Sequence, residues 1–437
     1  AGINVTASHN PKEYNGYKAY WTDGSQVTAP HDRNIIAEVE KITSIDQILT
    51  GANPGNITLL GEEFDEIYLN KVHTLSLSPE SVGKFHDMKI AYTPLHGAGV
   101  RLVPASLRKW GFTNVSLVEE QAVIDGNFPT VESPNPEERK TMAKAIELGS
   151  RLGADLVLAT DPDSDRIGVA LRNAKGEYVL LNGNQTLSLI MAYQLTRWSE
   201  LGRLDGKEFV VKTIVTSQMP NVMAAHFGVK CYDCLTGFKY IARIIRNNEG
   251  KATYIGGGEE SFGYLAGDFV RDKDAVSACS LVAEAAAWTR GTMGLTLYEW
   301  LQKLYVEFGF FREGLVSVVR KGMEGAAEIQ RMMVDYRADP PREIAGSPVV
   351  KINDFKLLES TDVRTGAKTP IEEEASNVLQ WFAADGTVVS VRPSGTEPKI
   401  KFYFGVRAEL ESVADFDRVE AGLDAKIETI KKELKLV

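Results

Sequence analysis

Cysteine is scarce in this chain: three residues in 437, Cys231, Cys234 and Cys279. Three thiols make no disulfide framework, which fits a reducing compartment and leaves the fold to rest on its cores. Cys231 and Cys234 form a lone C-x-x-C. With no second pair for zinc and no helix start to lower a thiol pKa, neither a zinc site nor a redox motif follows from it. Positive charge is in short supply as well. Lys and Arg number 49 against 59 Asp and Glu, a formal net charge of -10. That argues against nucleic acid or an anionic membrane as partner, and any anionic ligand must meet a local basic cluster. Long apolar runs are missing: the best candidate, Leu187 to Tyr193, falls far short of the ~18 residues that span a bilayer. No secretory signal is visible either, so the expectation is a cytoplasmic protein. What remains is ordinary for a globular chain, 43% hydrophobic and 25% charged, and the length implies several domains of roughly 100–200 residues.

The most informative stretch is Asp161-Pro162-Asp163-Ser164-Asp165-Arg166. Leu156 to Thr160 reads as a strand leading into it. If the backbone stays extended, residues two apart share a side, so the three carboxylates converge. Such a cluster needs a cation, and oxygen-only ligands with positions left open for a phosphate oxygen favour magnesium over calcium. An EF-hand also opens with acids at positions one, three and five, but here position six is Arg166 and position twelve is Arg172, where that loop needs Gly and Glu. A solvated acidic turn is the plainer alternative.

Other loops carry weaker signals. Ser8 and His9 lie in Thr6-Ala7-Ser8-His9-Asn10-Pro11, either an activated nucleophile beside an acid or base or an ordinary ST-type turn. Tyr17–Thr22 and Gln26–Thr28 predict two strands joined at Asp23-Gly24, followed by a helix with Asp32 as N-cap. From Lys89 the strand-helix-strand alternation is that of a parallel α/β sheet, with ligand loops at the carboxyl ends of its strands. A further α/β unit from Asn182 ends in a strand expected over Thr253–Ile255. It runs into a glycine-rich loop, Gly256-Gly257-Gly258-Glu259-Glu260-Ser261-Phe262-Gly263, whose carboxylates and hydroxyl suit sugar hydroxyls or make a simple turn. Arg271-Asp272-Lys273-Asp274 is a mixed-charge loop that reads most simply as a solvated helix start. In the β-rich last third, Arg392-Pro393-Ser394-Gly395-Thr396-Glu397-Pro398-Lys399 is either a phosphate cradle or an ordinary hairpin loop.

Taken in order, the serine, acidic, Gly-Glu-Glu-Ser-Phe-Gly and Arg-Pro-Ser-Gly-Thr-Glu-Pro loops resemble the four signature loops of the α-D-phosphohexomutase superfamily, over essentially the whole chain. The resemblance implies three similar α/β domains and a fourth α+β domain around a central cleft, with boundaries expected near 1–80, 81–181, 182–310 and 311–437. In that family further strands and a Gly-Arg-type contact precede the serine loop, so the first domain is expected to be incomplete. The resemblance also implies an intramolecular phosphotransferase. Ser8 carries the phosphoryl group as a phosphoserine, and Asp161, Asp163 and Asp165 hold one Mg2+ against it. Arg166 lies near the transferring group, and His9 and Lys18 are acid/base candidates. Glu259, Ser261, Arg271 and Lys273 bind the sugar phosphate, while Arg392, Ser394, Gly395 and Thr396 bind the phosphate that is not reacting. The sugar loop reads as in the glucomutase branch, so glucose 1-phosphate and glucose 6-phosphate are the expected substrates, with a hexose bisphosphate as intermediate and activator. Mannose or pentose phosphates are the alternatives within the superfamily. A phosphatase with an aspartate nucleophile and a non-catalytic sugar-phosphate binder are the alternatives outside it.

Overall fold

The computed structural model of the protein describes residues 1–51, 54–320, 322–394 and 398–436. The chain divides into two compact units, Ala1–Lys212 with Ala224–Tyr232 and Gly237–Glu299, and Thr213–Met223 with Asp233–Thr236 and Trp300–Val437. No described helix is long and apolar enough to cross a membrane.

The first unit opens with an antiparallel hairpin, β1 (Gly2–Thr6) and β2 (Gly16–Tyr20), whose turn carries Ser8. The chain turns back at Asp23-Gly24 as expected, through the antiparallel bridge Tyr20↔Gln26 and the Trp21 and Val27 amides bonded to the Ser25 and Ala19 carbonyls, both at 2.9 Å, but the returning arm is too short to count as a strand and the full partner of β2 is β1. Helix α1 (His31–Val39) takes Pro30 as its N-cap, with Asp32 in the first turn and not at the cap. After α2 (Glu62–His73) and α3 (Pro79–Lys84) comes the first full α/β layer. It comprises β3 (Ile90–Thr93), α4 (Gly99–Trp110), β4 (Val115–Leu117), α5 (Ala143–Leu152), β5 (Leu156–Thr160), β6 (Ile167–Arg172) and β7 (Tyr178–Leu180). The sheet order is β4-β3-β5-β6-β7, parallel from β4 to β5 and antiparallel from β5 to β7. Every residue of β5 is buried, as expected for a strand covered on both faces.

The second layer repeats this plan. It runs through α6 (Gly183–Glu200), β8 (Glu208–Thr213), α7 (Met219–His226), β9 (Lys230–Cys234), α8 (Phe238–Asn248), β10 (Thr253–Glu259) and β11 (Gly263–Ala266). Strand β10 lies parallel to β8 and turns back antiparallel into β11, as β5 lies parallel to β3 and turns back into β6. The acidic loop and the Glu259–Ser261 turn therefore occupy equivalent hairpin corners. Gly256–Gly258, expected as a loop, are strand residues instead. A Cβ on Gly257 would lie 2.0 Å from the Val211 carbonyl oxygen, so glycine here lets neighbouring backbone approach.

Helix α9 (Ala275–Met293) is the packing centre of this unit, buried continuously from Ala275 to Thr289. Its small residues admit close neighbours; Ser280 Oγ lies 2.8 Å from Ser106 Oγ of α4. Asp274 caps its start by accepting from the Val276 and Ser277 amides, and Gly294 ends it in the left-handed region.

The second unit holds α10 (Leu297–Phe308), which begins in the first, then β12 (Phe310–Val319), α11 (Gly322–Ala338), β13 (Glu343–Ile344) and β14 (Ser347–Asp354). It continues through β15 (Glu359–Asp362), β16 (Lys368–Pro370), β17 (Leu379–Ala383), β18 (Val388–Pro393), β19 (Lys399–Ala408) and α12 (Phe416–Glu433). Its sheet is antiparallel in the order β12-β19-β18-β17-β14-β15-β16, and α11 and α12 pack on it.

Candidate active site

Three hairpin corners and the start of α9 assemble the charged residues of the first unit. The acidic loop leaves β5 and does not stay extended. Ser164 N bonds to the Asp161 carbonyl at 2.9 Å, and Ser164 takes φ 57°. This turn, rather than strand alternation, brings the carboxylate oxygens of Asp161, Asp163 and Asp165 within 4.8 Å of one another. Asp161 is fully buried. Its Oδ1 accepts from the amides of Asp165 (3.0 Å) and Arg166 (2.9 Å), and its Oδ2 accepts from Ser8 Oγ at 3.0 Å. Burial, then Asp165 and Asp163, pushes its pKa well up.

Ser8 adopts φ 53°, a conformation uncommon outside glycine. Its amide donates to Thr6 Oγ1 at 2.7 Å, and its Oγ lies 3.2 Å from His9 Nδ1. Strand β2 presents Lys18 to the cluster, with Nζ 3.3 Å from both Asp163 Oδ2 and Asp165 Oδ2. Burial opposes the Lys18 charge, but Asp165 and Asp163 outweigh it and raise the pKa. Lys273 reaches the same Asp165 oxygen at 3.1 Å. Burial works against the Asp165 charge too, yet Lys273, Lys18 and Arg166 hold its carboxyl below the usual range. Arg166 is anchored by Glu137 at 2.9 Å, and its side chain passes 3.9 Å from Asp161 and Asp165.

The Glu259 corner is tied directly to this loop, through the bridge Arg166↔Gly263 and the Ile167 amide bonded to the Phe262 carbonyl at 3.0 Å. Glu259 is buried and accepts from the Gly237 amide at 2.8 Å. Burial raises its pKa, against the opposing pull of Lys273. Ser261 sits in the turn between β10 and β11. Arg271 lines the same cavity as Asp163 and Lys273, with its guanidinium held by Glu249 (3.4 Å) and the Asp268 carbonyl (3.5 Å). In the second unit, Arg392 lies on β18 opposite Lys401, and the Ser394 amide bonds to the Lys399 carbonyl at 2.7 Å. Gly395 and Thr396 lie outside the described residues.

The donor set fits a hard divalent cation. It offers oxygen atoms alone, and Asp163 Oδ1 and Asp165 Oδ1 are buried without a hydrogen-bond donor among the described residues. Sequence reasoning missed Glu137, Thr6, Tyr20 and Asp272. Tyr20 carried a signal, since it shares a strand face with Lys18 two residues before it. Glu137 carried none.

Comparison with known proteins matches the four models of the phosphoglucomutase/phosphomannomutase family. The alpha/beta/alpha domains I, II and III match residues 1–46, 66–176 and 182–308, and the C-terminal domain matches 350–423. A curated relative, the phosphoglucomutase of Staphylococcus aureus (strain MRSA252), is 34% identical over 431 residues, covering 98% of this chain and 75% of its own length. Two solved structures share the fold. One, from Thermus thermophilus, was solved as a candidate phosphomannomutase, with TM-score 0.69 and 19% identity over 99% of this chain and 78% of that one. The other is the phosphoglucomutase parafusin from Paramecium, with TM-score 0.63 and 16% identity over 98% and 78%. With the signature corners in place and matches along nearly its whole length, the chain belongs to the phosphoglucomutase/phosphomannomutase family of the α-D-phosphohexomutase superfamily.

Proposed function

We propose that the protein is a phosphoglucomutase that interconverts glucose 1-phosphate and glucose 6-phosphate, with Ser8 as phosphoryl carrier and a hexose bisphosphate as intermediate. The observation that carries this reading is Ser8 Oγ, 3.0 Å from Asp161 Oδ2 at the edge of a three-carboxylate cluster flanked by two lysines. The choice of glucose rests on the Gly-Glu-Glu-Ser-Phe-Gly corner and on relatives named phosphoglucomutase.

In this reading Asp161, Asp163, Asp165 and an oxygen on Ser8 hold one Mg2+. When bound, it supplies charge neutralisation for the phosphoryl group in transfer. A sugar hydroxyl attacks the phosphorus carried on Ser8, the P–Oγ bond breaks, and the hydroxyl proton ends on Oγ. The bisphosphate then turns over, and its other phosphoryl returns to Ser8 by the reverse step. His9 Nδ1, 3.2 Å from Oγ, is placed to hold the proton at that oxygen. Lys18 is charged before reaction and serves as the acid partner. Arg166, fixed by Glu137, stabilises the equatorial oxygens without reorganising. Glu259 and Ser261 accept and donate to sugar hydroxyls, with Arg271 and Lys273 as further substrate contacts. Arg392, Ser394, Gly395 and Thr396 bind the non-reacting phosphate.

A phosphatase-type aspartate nucleophile fits less well, because both oxygens of Asp161 are already engaged, one by two amides and one by Ser8. The test is intact-mass and peptide-mass analysis of the isolated protein, with kinetics of Ser8→Ala. One phosphoryl group mapped to Ser8, and turnover lost in the variant, are expected. Turnover retained in Ser8→Ala overturns the mechanism.

A further inference from the structure

A divalent cation on Asp165 competes with Lys273 for the charge of a single carboxylate. The ammonium lies 3.1 Å from Oδ2, while Oδ1 is buried without a hydrogen-bond donor among the described residues. Lys273 has little freedom to withdraw into water. Its side chain is only 11% exposed, the Phe238 ring lies 5.3 Å from Nζ, and the stem fills the space where a Cβ on Gly263 would come within 2.1 Å of its Cδ. A buried ammonium that loses its counter-ion is costly unless another is at hand.

A second carboxylate is at hand. Asp272 Oδ1 lies 3.1 Å from Lys273 Nζ and also accepts from the Lys273 amide at 2.8 Å. The other oxygen, Oδ2, accepts from Tyr20 OH at 2.7 Å. Tyr20 is two residues beyond Lys18 on β2, so one strand face delivers Lys18 to the acidic loop and the hydroxyl to Asp272. A cavity of about 500 Å3 beside the acidic loop is lined by Tyr20, Asp163, Asp272 and Lys273 among others, leaving room for the ammonium to shift. Lys18 differs: its side chain is 26% exposed, so it can follow a substrate outward.

We infer that Tyr20 and Asp272 are positioning residues that form a counter-ion arm for Lys273, receiving the ammonium when a divalent cation takes Asp165 and so keeping it within the site. This rests on the reading of Asp161, Asp163 and Asp165 as the cation's ligands. Its consequence is a coupling: Asp272 strengthens cation binding mainly through Lys273, and the coupling is mutual.

Mn2+ binding to the full chain without sugar phosphate, measured by calorimetry and electron paramagnetic resonance, tests it by a double-mutant cycle. Asp272→Asn is expected to weaken Mn2+ binding about tenfold, within the usual range of site-site coupling. Tyr20→Phe, the mildest change, weakens it about threefold, and Lys273→Met strengthens it. In the Lys273→Met background, Asp272→Asn shrinks to an effect of at most about threefold, the remainder due to bare charge. Near-ultraviolet circular dichroism identifies any variant that fails to fold, and Tyr20→Phe then carries the test. If Asp272→Asn changes nothing, or acts equally with and without Lys273, the inference is overturned while the cation site stands. If Asp163→Asn leaves Mn2+ binding intact, the reading of the acidic loop fails and the inference fails with it.

Discussion

Ser8, Ser164 and Phe262 each adopt positive φ, 53°, 57° and 67°, and each sits in one of the three hairpin corners that carry the proposed chemistry. A non-glycine residue in that region is held there by its surroundings. Thr6 and Asp161 do this for Ser8, and the α9 start does it for Ser164, whose carbonyl accepts from the Ala275 amide at 3.1 Å. Glu259 makes the residue-scale prediction. Burial, opposed mainly by Lys273, raises its pKa, so it takes up a proton at higher pH than an ordinary glutamate. As a carboxylate it accepts from sugar hydroxyls; once protonated it must donate, and the pairing fails. The acid limb of the kcat/KM profile should therefore lie above the ordinary glutamate range of about 4.3. In Glu259→Gln that limb should move away, with the remaining activity flat across the window. An unshifted limb in the variant would assign it to another group.

At the scale of elements, the informative contact is the charge inside α9. Glu284, fully buried in an otherwise apolar stretch, accepts from Ser76 Oγ (2.5 Å), Leu77 N (2.9 Å), Ser78 N (3.0 Å) and Tyr193 OH (2.8 Å). It thereby fixes the segment ahead of α3 and joins it to α6 and α9. Glu284→Ala would strand the buried Leu77 and Ser78 amides, while Tyr193 OH keeps Ser78 Oγ at 2.9 Å and Ser76 is half-buried; with an unsatisfied buried group costing about 1–3 kcal/mol, a loss of at least about 2 kcal/mol in stability is expected by denaturant titration. Burial raises the Glu284 pKa despite those bonds. The folded state therefore keeps a proton that the unfolded chain releases at about 4.3. Glu284's contribution is then fully present below that value and declines as pH rises through the raised value. Glu284→Gln should remove this slope, and a slope that survives would exclude Glu284 as its source. Elements are also where local reading failed. A glycine run signals a loop, yet Gly256–Gly258 complete β10 because β8 and β11 crowd it. Asp23-Gly24 does turn the chain back on β2, yet only as far as Val27, and the full strand pair of β2 is with β1.

For the whole molecule, the proposal assigns different tasks to residues far apart in the chain. Arg392→Ala should lower kcat/KM about ten- to a hundredfold on glucose and mannose phosphates alike, because a charge-assisted phosphate contact is worth roughly 1.5–3 kcal/mol and ignores the sugar. Glu259→Gln should change the glucose-to-mannose ratio, because a mispaired buried group discriminates between hydroxyl arrangements. Equal changes in that ratio for both variants would refute the division. The sequence carries the family, the α/β plan and the loops on which the proposal rests, because each signature loop is a short contiguous string whose chemistry is written in neighbouring residues. It also determined that Asp161, Asp163 and Asp165 converge, though by alternation on a strand when the structure uses a turn at Ser164. Packing between distant elements sets that Tyr20 meets Asp272, 252 residues away, that Glu137 anchors Arg166, and that Glu284 is a buried acceptor and not a surface charge. The same packing sets Lys273, expected as a substrate contact on a loop that reads locally as a solvated helix start, against Asp165. Those pairings depend on which elements pack together, and no local periodicity or spacing encodes the partner of a side chain that lies far along the chain.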